Sequence, residues 1–101
     1  MNNALNTIKE VRENLSGNSP VWPEGRDRVG VRIWADQYVL DQMIWIVKNG
    51  IQNGLSVEEI QAAFQDKRDI TASGARYSET EAWDFYVELF NSTVSEEVPV
   101  A

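Results

Sequence analysis

The chain has 101 residues, of which 43% are hydrophobic and 25% are charged, and its formal net charge is −7. It contains no cysteine and no histidine, which excludes disulfides, thiol nucleophiles, Cys/His zinc sites and imidazole acid–base chemistry. This length and composition are typical of one globular domain with a modest core.

The negative charge is concentrated at the end of the sequence. Residues 77–101 contain six acidic residues and no lysine or arginine, whereas residues 1–48 contain six acids and six bases. Sequence-independent binding to nucleic acid depends on Lys and Arg that neutralise phosphates, so we do not expect a direct nucleic-acid partner. The charge fits a protein partner with a basic surface, and the alternative is that it only provides solubility.

The sequence also bears on the compartment. No apolar run approaches the roughly 20 residues that a membrane-spanning helix requires, so we expect no membrane partner. The first residues lack the basic and then apolar pattern of a secretory signal. We therefore expect a cytoplasmic protein.

The first helical pattern is a narrow apolar seam. Four apolar residues recur at helical spacing and predict a helix of about three turns. Gly17 is expected to end this helix, and the Pro- and Gly-rich residues 17–25 are expected to form a loop that Trp22 anchors in the core. The seam residues are Ala4, Ile8, Val11 and Leu15.

Residues 28–33 fit two patterns. Val29, Val31 and Ile33 alternate with other residues, as in a strand, but no second strand is evident to pair with them. The alternative is that a long helix, capped by Asp27, begins here and contains Gly30. We favour the helix, and a short strand near 28–33 stays open.

A central helix at about 31–48 is apolar on most of its sides, which is typical of a buried position. The pairs Asn49-Gly50 and Asn53-Gly54 are expected to end it. Its acidic residues Asp36 and Asp41 are expected to form salt bridges, since buried charges are usually paired. The bases considered for them are Arg26, Arg28, Arg32 and Lys48.

Two capping boxes mark the starts of the remaining helices. Residues 56–59 predict a third helix that runs to about Asp66, and residues 78–81 predict a fourth that runs to about Asn91. Residues 67–78 are polar without periodicity and read as a connection. The sequence therefore predicts an all-α, four-helix domain over residues 1–91 and an acidic flexible tail over 92–101.

The fourth predicted helix carries an acidic stripe, by which we mean Glu81, Asp84 and Glu88. These residues follow i, i+3, i+7 and share one face, with Glu96 and Glu97 beyond them. Carboxylates spaced one turn apart can bind an Arg/Lys patch on another protein. A solvated face opposite the core is the alternative interpretation.

Aromatic residues form a second group of candidates. Aromatic side chains anchor protein interfaces and line ligand pockets, but at helical spacing they more often pack in a core. The two aromatic helices offer more apolar surface than a small domain needs, so we expect homo-oligomerisation. The residues concerned are Trp34, Tyr38, Trp45, Trp83 and Phe90.

Arg26, Arg28 and Arg32 form the only basic cluster, which could hold a phosphate or nucleotide at a helix N-terminus. Pairing with acidic residues is the preferred interpretation. Catalysis is not expected, because a nucleophilic serine would need a base and the chain has no histidine. We expect no cofactor and no metal site.

Three functions follow from these features. The leading hypothesis is a small acidic, non-enzymatic protein that inhibits or regulates a macromolecular partner by occupying a basic surface. Phages and mobile elements encode small acidic anti-defence inhibitors of this general kind, an analogy from size and charge only. The alternatives are a homo-oligomeric structural subunit, such as a homodimer, and a small-ligand binder in which the aromatics and the arginine cluster hold a nucleotide.

Overall fold

The computed structural model describes residues 2–15, 20 and 28–97, and four helices account for most of them. They are α1 (Asn2–Asn14), α2 (Arg28–Gln52), α3 (Val57–Ser73) and α4 (Tyr77–Glu97). The all-α, four-helix prediction is confirmed. Other predictions concern residues outside these ranges: the Gly17 cap, the Trp22 anchor, Arg26 of the basic cluster, the Asp27 cap and the last residues of the predicted tail.

Helix α2 is the central helix that the sequence predicted, and α4 shares this position with it. Each of the two contacts all three other helices. Residues 28–33 are helical, so the strand alternative is excluded. The core lies where these helices meet, and its largest fully buried side chains include Leu40, Met43, Phe64, Trp83 and Phe90.

The predicted end of α2 at Asn49-Gly50 is wrong, because the helix continues to Gln52. Gly50 is buried, and a Cβ atom built on it would lie 2.8 Å from two side-chain carbons of Ile60. A glycine inside the helix therefore lets α3 approach closely. The chain turns instead at Gly54, whose φ of +74° suits glycine.

The first capping box is confirmed. The Ser56 hydroxyl accepts from the Glu59 amide and the Glu59 carboxylate accepts from the Ser56 amide, each at 3.1 Å. The second is wrong: α4 begins at Tyr77, so Ser78 lies inside the first turn, and the Glu81 carboxylate binds Arg32 instead.

Helices α3 and α4 both extend beyond their predicted ends. Helix α3 runs to Ser73 rather than Asp66, since Thr71 is buried and its hydroxyl donates to the Lys67 carbonyl. Helix α4 runs to Glu97 rather than Asn91. Val94 is buried against the core there, and the Glu97 carboxylate accepts hydrogen bonds from the first backbone amides of α1. Polar sequence at both ends is therefore helical because neighbouring helices pack on it.

Side-chain contacts fix how the helices run past one another. Arg68 binds Asp84, and Gln61 donates to Asn91, so α3 and α4 are antiparallel. On the other side of α4, Arg32 of α2 binds Glu81. The acidic stripe is thus flanked by α2 and α3.

Candidate functional site: the acidic face of helix α4

The acidic stripe lies on the solvent-facing side of α4. The Glu81 and Asp84 side chains are 66% and 56% exposed, and Glu88 is also exposed. Glu96 is also exposed, more than two helical turns beyond Glu88, whereas Glu97 is half-buried at α1. The stripe is therefore accessible along α4.

The sequence has no lysine or arginine among the acids of residues 77–101, which suggested that no base lies near the stripe. The structure shows that this is wrong. Arg32 Nη1 lies 2.8 Å from Glu81 Oε2, and Arg68 contacts both Asp84 oxygens at 2.8 and 3.3 Å. Both arginines come from other helices, which is why spacing along α4 gave no sign of them. Glu88 forms no ion pair with any residue that the structure describes.

A groove of about 370 Å³ runs beside the stripe between α3 and α4. Asp84 and Glu88 line it together with Arg68, Asn91 and Ser92. The groove thus places carboxylates next to hydrogen-bonding side chains, which suits recognition of a polar, basic segment.

The five aromatic candidates do not form one surface. Trp83 and Phe90 are buried in the core and are not available to a partner. Trp34 and Tyr38 stack on each other, with ring centroids 5.2 Å apart and an angle of 15° between the planes. Trp45 is 63% exposed and is the accessible member of the group.

Trp45 borders a separate apolar groove between the end of α2 and α3. The groove has a volume of about 320 Å³. Leu55 and Ile70 line it and are 37% and 58% exposed, and Asp66 and Lys67 bring charges of both signs to its edge. The groove therefore brings the exposed Trp45 of α2 and Ile70 of α3 together.

The basic cluster is divided. Arg26 lies outside the described residues. Arg28 is exposed at the start of α2, and Arg32 pairs with Asp36 at 3.3 Å as well as with Glu81. The predicted pairing of Arg32 with acidic residues is confirmed.

The two carboxylates of the central helix have different environments. Burial raises the pKa of Asp36 above its ordinary value of 3.8, and the nearby Arg32 and a hydrogen bond from Tyr86 oppose this rise only in part. Burial, followed by the charge of Asp36, raises the pKa of Tyr86 to about 12. Asp41 pairs with Arg12 of α1, with Arg12 Nε 2.8 Å from Asp41 Oδ1.

Sequence reasoning missed two residues. Arg12 is buried with Ala4 and Ile8, and its spacing of four from Ile8 could have placed it on the seam. Glu79 is only 8% exposed although it begins an acidic segment. Its position could also have been found from spacing, because Trp83, Tyr86 and Phe90 follow it by four, seven and eleven residues on the apolar face of α4.

Two further observations concern metal ions and membrane-spanning helices. Within residues 2–15, 20 and 28–97, no three His, Cys, Asp or Glu side chains are placed to hold a metal ion. None of the four described helices combines the length and the apolar character needed to cross a bilayer.

A scan against protein-family models gives no match, and comparisons with curated proteins and with solved structures give none either.

Proposed function

We propose that this chain is a non-enzymatic binding protein of the cytoplasm that inhibits or regulates another protein by occupying its basic surface through the acidic stripe. One observation carries the proposal: α4 presents exposed carboxylates along its length and contains no base. The chain offers no histidine or cysteine for catalysis.

The ion pairs that flank the stripe favour binding in one respect. Exposed pairs contribute only about 0–1 kcal/mol each to stability, so Arg32 and Arg68 hold their carboxylates weakly. A partner's arginines can therefore share or replace them, while the carboxylates start from ordered positions, which lowers the entropic cost of association. Glu88 has no such resident base, so we expect it to contribute most.

The test compares two triple variants with the same change in net charge. The first, Glu81→Gln with Asp84→Asn and Glu88→Gln, neutralises the stripe. The control neutralises three exposed acids on other helices: Glu10, Glu13 and Glu58. Each protein is immobilised and exposed to nuclease-treated bacterial lysate at low and high salt, and circular dichroism verifies the fold.

We expect wild type and control to retain the same basic partner at low salt and the stripe variant to bind it about tenfold more weakly or worse. Neutral replacements are used because lysines at 81 and 84 would repel Arg32 and Arg68. Equal retention by all three proteins would contradict the proposal. If both triple variants lose the partner equally, net charge and not the acidic stripe would explain binding, and the proposal would be contradicted.

A second candidate function, a homo-oligomeric subunit, is favoured by the apolar groove at Trp45. Exposed tryptophan beside leucine and isoleucine is typical of interface anchors. Asp66 lies at its edge next to Lys67. In a two-fold dimer, Asp66 of each copy would pair with Lys67 of the other copy. This contact would use Trp45 and leave the buried Trp83 and Phe90 in the core.

Light scattering coupled to size-exclusion chromatography tests the second candidate. We expect a dimer at micromolar concentration that Trp45→Ser converts to monomer, while Phe85→Ser, which alters an aromatic that is 59% exposed on α4, leaves the mass unchanged. A wild-type monomer across the concentration range would eliminate homo-oligomerisation through this groove.

A further inference from the structure

A cavity of about 180 Å³ lies between the start of α2 and the first turn of α4. Glu79 and Arg76 bring opposite charges to it, and Trp34 and Tyr77 bring aromatic rings. Tyr77 is 78% exposed although it borders the cavity. Neither proposed function uses this site.

Glu79 shows that the cavity has an unmet requirement. Its residue is 8% exposed, and its Oε2 atom is buried without a hydrogen-bond partner. Arg76 Nη1 approaches this oxygen only to 3.5 Å. A buried acceptor without a hydrogen-bond donor costs free energy, so the Glu79 carboxylate would gain by turning toward a ligand that supplies an N–H donor.

A second cavity of about 390 Å³ adjoins the first, since Val31 and Ser78 line both. Arg28 and Arg32 contribute to its lining, together with Glu81. Arg28 is exposed and forms no ion pair with any described residue. Ser78 lies in the first turn of α4, where backbone N–H groups and the helix dipole favour an anion.

The linings of the two cavities indicate which chemical groups one ligand would need to fill both. The smaller cavity favours N–H donors for Glu79, an acceptor for Arg76 and a flat apolar surface for the rings. In the larger cavity Arg32 is already paired with Glu81, and Arg28 is the base that favours a negative charge. A simple cation would meet Glu79 but would be repelled by both Arg76 and Arg28.

We propose that these adjoining cavities bind a guanine nucleotide. The N1–H and N2–H₂ donors of guanine lie side by side and match a carboxylate, whereas its O6 and N7 acceptors match an arginine. An aromatic ring also offers a flat apolar surface on which the base can stack. The phosphate then meets Arg28 and the first turn of α4, and the combined space is within the roughly 300–1,000 Å³ range of small-ligand sites.

The test titrates the full-length chain with guanosine 5′-monophosphate and follows the tryptophan indole N–H signals by NMR. Adenosine and inosine 5′-monophosphates are the comparison probes: adenine lacks the paired donors, and hypoxanthine lacks N2–H₂. Glu79→Gln removes the carboxylate, and Arg28→Ala removes the phosphate contact. Glu10→Gln is the control, because Glu10 is an exposed acid on α1 that lines neither cavity.

We expect saturable shifts with the guanine nucleotide at about millimolar concentration or below, and binding of the inosine and adenosine nucleotides at least about tenfold weaker. Glu79→Gln should weaken binding about tenfold, Arg28→Ala should weaken binding of guanosine 5′-monophosphate because it removes the phosphate contact, and Glu10→Gln should change nothing. Absence of saturable shifts, or equal affinity for all three nucleotides, would overturn the proposal. The comparison of nucleotides on the wild-type chain decides the matter even if Glu79→Gln does not fold.

Discussion

Phe90→Ala is expected to lower the free energy of unfolding by about 3–5 kcal/mol, a large part of the roughly 5–15 kcal/mol that stabilises a domain. Phe90 is fully buried and meets Phe64 edge to face, with ring centroids 5.0 Å apart. Phe64 in turn lies 6.2 Å from Trp83. Truncation therefore opens a cavity in the cluster that joins α3 to α4. Urea denaturation followed by circular dichroism measures the change.

Phe85→Ala is the matched control on the same helix. Phe85 is 59% exposed, and its one ring contact is with Tyr86 at 5.1 Å. Its truncation should cost less than about 1 kcal/mol. Similar losses from both variants would mean that Phe90 does not lie in the core, and would return it to the set of interface residues that the sequence predicted.

Asp41→Asn and Asp36→Asn are expected to have opposite effects, although both remove a carboxylate from the central helix. Asp41 is the partner of Arg12, whose side chain is only 8% exposed. Loss of the carboxylate leaves a buried guanidinium undercompensated, and we expect the free energy of unfolding to fall by about 2 kcal/mol. Thermal and urea unfolding at pH 7 measure it.

Asp36 behaves differently because burial raises its pKa. The folded state holds the proton more tightly than the unfolded state, so the contribution of this group is fully present below pH 3.8 and is lost as the pH rises through the folded pKa. At pH 7 the ionised carboxylate therefore opposes folding. We expect Asp36→Asn to unfold at or above the wild-type temperature at pH 7. This advantage should shrink as the pH falls through the raised folded pKa and should be gone below pH 3.8.

A double variant separates the pair from its members. In the Asp41→Asn background, Arg12→Met removes the guanidinium that has lost the Asp41 carboxylate. The double variant should therefore recover part of the lost stability. No recovery would show that Arg12 draws its stability from its other contacts. Equal destabilisation by Asp36→Asn and Asp41→Asn would contradict the different environments assigned to them.

The helices were predictable where the sequence carries a local signal. The apolar pattern of residues 33–48 and the Ser56 capping box depend only on near neighbours, and both are confirmed. The errors concern ends that distant contacts decide. Thr71 and Val94 are helical because another helix packs on them, and Gly50 is tolerated because α3 needs the space.

The candidate site was predictable to a similar degree. Spacing placed the acidic stripe on one exposed face of α4, and exposure agrees. Its resident bases, Arg32 and Arg68, lie 49 and 16 residues away from their partners, beyond any periodic pattern. The buried Glu79, in contrast, could have been told from Glu81, because its spacing from Trp83 and Phe90 places it on the apolar face of α4.

The contact between Glu97 and the first amides of α1 has a consequence for the order of folding. It joins residues that are 94 apart in sequence, whereas Arg68 and Asp84 are 16 apart. Closing the longer loop costs about 1.5 kcal/mol more in chain entropy. We therefore expect α3 and α4 to form the early hairpin on which α2 assembles, and α1 to be the last helix to dock and the first to leave.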